Sequence, residues 1–84
     1  VDPVRSNLIL FLASNGEMTI GEIADQFPQN RSVISRHLDL LNRFDVVTRR
    51  KVGREVYYKA NTNVVATKFA DAATNMDALM RLAE

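Results

Sequence analysis

His37 is the only histidine in the chain, and two hydroxyls, Ser32 and Ser35, lie within five residues of it. A hydroxyl next to an imidazole is the pairing that activates a nucleophile, provided a third group orients the base. The segment RSVISRHLDLL, residues 31–41, does not supply that geometry. Its apolar residues recur at helical spacing, and side chains two apart on a helix do not face each other, so Ser35 and His37 are separated. Acids occur singly, and there is neither a phosphate-cradling glycine loop nor a dinucleotide-binding glycine pattern. The 84 residues include no cysteine, which excludes disulfides, thiolate nucleophiles and sulfur-ligated metals. One histidine does not make an ordinary zinc site. The expectation is a protein without catalytic residues, metal or cofactor.

What remains to residues 31–41 is hydrogen-bonding and cationic chemistry. The net charge of +1 hides a strong partition: residues 1–28 carry one Arg against four acids, and residues 60–84 two bases against three acids. Residues 29–59 carry eight Lys or Arg against three acids. A basic middle third between weakly acidic ends is a footprint for a polyanion. Arg31 and Arg36 fall on the polar side of the predicted helix, with Ser32 and Ser35 beside them. A helix fits the major groove of B-DNA with its N-terminal residues nearest the base edges. That places Arg31, with its two-pronged donor set, where it reads guanine, and Asn30, Ser32 and Ser35 where they meet bases or phosphates, while Arg36 neutralises phosphate charge. For His37, beside the apolar seam, two roles stand open: a phosphate contact or a buried hydrogen-bonding one. Asp39 and Arg43 read as solvated surface.

The elements that must hold these residues follow from periodicity and punctuation. Residues 3–14 (PVRSNLILFLAS) predict a helix capped by Asp2 and stopped by Asn15-Gly16. A short helix follows in TIGEIADQF, opened by Thr19 with Glu22 as its capping-box partner and limited by Pro28. The third helix starts at Asn30, or at Ser32 if it begins late, and buries Ile34, Leu38 and Leu41. Asp45 suits a left-handed position after it. VVTRRK and REVYYKA then alternate as strands around Gly53, a hairpin with Arg49, Arg50, Lys51 and Arg54 near its tip. Such a hairpin directly after a helix-turn-helix is a wing, and its four cations Arg49, Arg50, Lys51 and Arg54 are expected to bind DNA by neutralising phosphate charge; Tyr57 and Tyr58 read as strand packing. A last helix runs from about 63 to 83, capped by Asn61 or Thr62, with Val65, Phe69, Ala72, Met76 and Leu79 in a heptad-like seam. The fold class expected is mainly α with a small β-hairpin, in the order α-α-α-β-β-α, admitting one extra short strand. Residues 1–84 read as one domain.

The segment SVISRHLDLLNRFDVVTRRKVGREVYYKA closely resembles the ArsR-type winged helix-turn-helix repressors. The hallmark of that family runs approximately S-x-V-S-x-H-L-x-x-L, then a short turn, then a basic hairpin ending G-R-x-x-Y-Y. It is met by Ser32, Ile34, Ser35, His37, Leu38 and Leu41, and then by Gly53, Arg54, Tyr57 and Tyr58. The resemblance implies a homodimeric repressor at a double-stranded DNA operator, paired through its first and last helices. In this chain those helices offer Val4, Leu8 and Phe11 on one side and Val65, Phe69, Ala72, Met76 and Leu79 on the other. Metal-sensing members carry a cysteine pair where Thr19 and Gly21 stand, and others place histidines on the last helix, where residues 63–84 have none. The resemblance therefore supports DNA binding without carrying over metal sensing, and no inducer is legible.

No apolar run approaches the ~20 residues that span a bilayer, and the N-terminal residues do not read as a signal peptide, so a cytoplasmic setting is expected. One competing reading keeps the fold but makes it a protein-interaction module, with the wing pairing to an acidic partner.

Overall fold

The computed structural model describes residues 2–67, 70 and 71. Helix α1 spans Pro3–Asn15, strand β1 Met18–Thr19 and helix α2 Ile20–Ala24. Helix α3 spans Arg31–Arg43 and leads into strands β2, Val47–Val52, and β3, Glu55–Ala60. Residues 62–67 open a further helix, α4, and residues 70 and 71 are also helical. The strands form one antiparallel sheet in the order β1-β3-β2, so β1 is the extra short strand and β3 lies between the other two.

Local chemistry sets the helix ends. The Asp2 carboxylate accepts from the Val4 N–H at 2.9 Å, ahead of Pro3 in the first turn of α1. At α2, Thr19 Oγ1 accepts from the Glu22 N–H at 3.1 Å and Glu22 Oε1 from the Thr19 N–H at 3.0 Å, the reciprocal capping box. Helix α2 is shorter than the sequence predicts. Its regular bonding ends at Ala24, after which the Gln26 and Phe27 amides reach back only three residues, to Ile23 and Ala24. Pro28 forces this, because the residue before a proline is barred from the helical region.

Asn30 is the cap of α3, with Oδ1 accepting from the Val33 N–H at 3.3 Å, which decides between the two starts open in the sequence. At the other end Asp45 takes the left-handed conformation, φ 61°. The Val46 N–H donates to Leu41 O at 2.9 Å and the Asp45 N–H to Asn42 O at 3.1 Å. These two bonds are a Schellman closure with aspartate where glycine is usual. They turn the chain sharply from α3 into β2.

The core gathers one face of each element: Leu8 and Leu12 from α1, Ile20 and Ile23 from α2, Ile34, Leu38 and Leu41 from α3, and Val47, Tyr58 and Ala60 from the sheet. Phe11 packs edge-to-face on Phe27, ring centroids 5.5 Å apart. This corrects the expectation for α1. Leu8 has 0% of its surface exposed within its own chain and offers nothing to a partner helix. Val65 is likewise buried, whereas Val4 and Phe11 keep part of their surface. The outward face of α1 instead carries Pro3, Asn7, Leu10 and Ser14, with Leu10 51% exposed. Phe69, Ala72, Met76 and Leu79 lie outside the described residues.

Candidate nucleic-acid interface

With Ile34, Leu38 and Leu41 turned inward, α3 presents Arg31, Ser32 and Arg36 to solvent and Ser35 half-buried beside them. Asn30 is partly committed to the helix itself, since its Oδ1 also accepts from Ser32 Oγ at 2.8 Å. Arg36 lies back along the helix, Nε donating to Ser32 O at 3.4 Å. The Arg31 guanidinium rests over α2, where a Cβ built on Gly21 would lie 3.7 Å from its Nη1. His37 is half-buried, and among the described residues its side chain shows no hydrogen bond.

Asp39, expected as plain solvated surface, has a structural task. Tyr58 Oη donates to Asp39 Oδ1 at 3.3 Å, which ties the middle of α3 to the central strand. Burial pushes the Tyr58 phenol above its ordinary pKa; the nearby Arg49 pulls it down and the Asp39 charge raises it further. Tyr58 is thus a protonated donor at neutral pH.

The wing separates its cations. Residues directly opposite in an antiparallel pair share a face, and successive residues alternate. Arg49 lies opposite the buried Tyr58, and Lys51 opposite Val56, so both belong to the face that turns toward α3. Arg50 lies opposite Tyr57 on the other face, where its guanidinium sits 4.8 Å from the centroid of that ring. There it forms a two-pronged pair with Glu17, Nε to Oε2 at 2.8 Å and Nη2 to Oε1 at 2.6 Å. Arg54 occupies the two-residue turn with Gly53, whose φ of 59° gives the turn the type II′ form. Sequence reasoning grouped Arg49, Arg50, Lys51 and Arg54 together. Strand alternation alone divides Arg50 from Arg49 and Lys51, but Glu17 becomes visible as a partner only once β1 is seen beside β3.

A family model described as "Bacterial regulatory protein, arsR family" matches residues 2–49. The chain belongs to the ArsR family. It is 39% identical over 64 residues to the transcriptional repressor SdpR of Bacillus subtilis (strain 168), spanning 76% of this chain and 70% of that protein. Among solved structures, a "possible transcriptional regulator for arsenical resistance" matches with a TM-score of 0.80 and 35% identity, over 94% of this chain and 85% of the other. A homodimeric winged helix-turn-helix DNA-binding domain from Mycobacterium bovis matches with a TM-score of 0.72 and 28% identity, over 90% of this chain and 69% of that one. As an ArsR-family member the chain is a winged helix-turn-helix DNA-binding transcriptional regulator. Thr19 is the cap of α2, and Gly21 is the floor beneath Arg31. Among the described residues no three His, Cys, Asp or Glu side chains gather as a metal-binding group. No described helix is long and apolar enough to cross a membrane.

Proposed function

We propose that residues 1–84 act as one DNA-binding unit of a cytoplasmic repressor, which pairs with a second copy and occupies a two-fold promoter operator without catalysing a reaction. The observation that carries this reading is the exposed set Arg31, Ser32 and Arg36 on α3, held beside the Arg49 and Lys51 face of the wing by the bond between Tyr58 and Asp39. Arg31 reads a base edge in the major groove, with Ser32 and Ser35 supporting it, while Arg36 and His37 meet phosphates. Lys51 and Arg54 hold the flanking backbone. The relative named a transcriptional repressor and the homodimeric neighbour support the same assignment. Pairing through α1 and the last helix sets two α3 helices about one turn of DNA apart.

Selection of duplexes from a random pool by the purified protein tests it. The expected result is a pseudo-palindrome with half-sites about 10 base pairs apart, centre to centre, or a multiple of that. Enrichment of no sequence over the starting pool overturns the operator reading.

A further inference from the structure

We propose that Arg50 is a positioning residue rather than a DNA contact: with Tyr57 and Glu17 it forms a strap across the three-stranded sheet that braces the wing. The inference rests on the DNA-binding reading of the wing and deepens it. Because β3 lies between β1 and β2, a link from Arg50 on β2 to Glu17, one residue before β1, has to cross β3. It crosses at Tyr57, over whose ring the Arg50 guanidinium sits. Tyr57 is also the residue paired with Thr19 of β1.

The strap falls where the backbone is weakest. Strand β1 joins the sheet through two residue pairs, Met18 with Tyr58 and Thr19 with Tyr57, whereas β2 and β3 pair along six. Two parallel N–H···O bonds between a guanidinium and a carboxylate fix direction as well as distance, which a lysine in place of Arg50 does not do. Charge bookkeeping points the same way. Hydrogen bonding to Arg50 holds the Glu17 carboxyl below its ordinary pKa, and the same bond raises that of Arg50. The pair is neutral as a unit, so Arg50 brings no uncompensated charge to a phosphate. Lys51 and Arg54 form no salt bridge among the described residues and retain theirs.

Two measurements on the whole chain test this, using Glu17→Gln, Arg50→Ala, the double variant, Lys51→Ala and Arg54→Ala. In the free protein, the amides that pair β1 with β3 should exchange with solvent about two- to fivefold faster in either single variant of the strap. The double variant should be no faster, since each single change already removes the link. On a random duplex across a salt series, Arg50→Ala should keep the wild-type slope of log K against log salt, while Lys51→Ala and Arg54→Ala each lower it by about 0.9. Unchanged exchange in both strap variants overturns the brace, and so does an Arg50→Ala slope that falls by the same amount as that of Lys51→Ala. If instead no wing variant moves the slope, the wing's phosphate contact is what fails, and the exchange rates still decide whether the strap exists.

Discussion

Helices α1 and α3 are each 13 residues long, and they solve opposite problems. In α3 the apolar residues keep to one side, and the other side is a continuous polar and cationic surface. In α1 they spread over most of the circumference: Leu8 and Leu12 enter the core, Val4 and Ile9 pack at its edge, Phe11 meets Phe27, and Leu10 points outward beside Asn7 and Ser14. A helix with a single apolar stripe is complete once its own domain covers that stripe, and its other side is free to meet something soluble and charged. A helix that also carries a leucine on its outer face leaves apolar surface that its own domain does not cover. On the proposed reading, the contrast assigns the polar face of α3 to DNA and the outer face of α1 to a second copy.

The largest expected effect breaks α3 from the inside. Leu38 is fully buried, so Leu38→Ala should cost about 2–5 kcal/mol of folding stability, read by urea or thermal unfolding. A loss below about 1 kcal/mol means that α3 is not anchored through this seam. The second acts on the other side of the same helix. Arg31→Ala should leave unfolding within about 0.5 kcal/mol of wild type while discrimination at one base position in each half-site falls by about 1–3 kcal/mol. A uniform loss on operator and random duplex alike reassigns Arg31 to the backbone. The smallest sharpens the role of α1. Leu10→Ser removes about half a leucine of exposed apolar surface from each copy, so sedimentation should show dimerisation weakened by about 1–2 kcal/mol. Unchanged dimerisation moves the interface away from the outer face of α1.

The fold was legible because its signals are local. Asp2 with Pro3, Thr19 with Glu22, Asn30, Asp45 and Gly53 each act within a few residues of themselves, and all five sit in the structure where the sequence puts them. The outward residues of α3 were legible too, since helical spacing alone separates Arg31, Ser32 and Arg36 from Ile34, Leu38 and Leu41. Less visible was anything that depended on which elements become neighbours. Asp39 passes for a surface charge until β3 brings Tyr58 to it, and Glu17 is 33 residues from Arg50 along the chain. For α1 the helical spacing of Val4, Leu8, Phe11 and Leu12 marks the apolar face, but spacing does not say whether that face meets its own domain or a second copy, and here Leu8 and Leu12 are used within the chain.

The Schellman closure at Asp45 and the bond from Tyr58 to Asp39 tie α3 to the wing at two points. With α3 in a major groove and the wing on the backbone beside it, as proposed above, the two linked elements sample the distance between those points. To the extent that these ties hold the distance, adjustment falls to the duplex, and its energy depends on the stiffness of base steps that no side chain touches. Among sites with identical contacted bases, those with flexible pyrimidine–purine steps between the two points of contact are then held more tightly. On that reading, selectivity is expected to rest partly on the mechanics of the DNA.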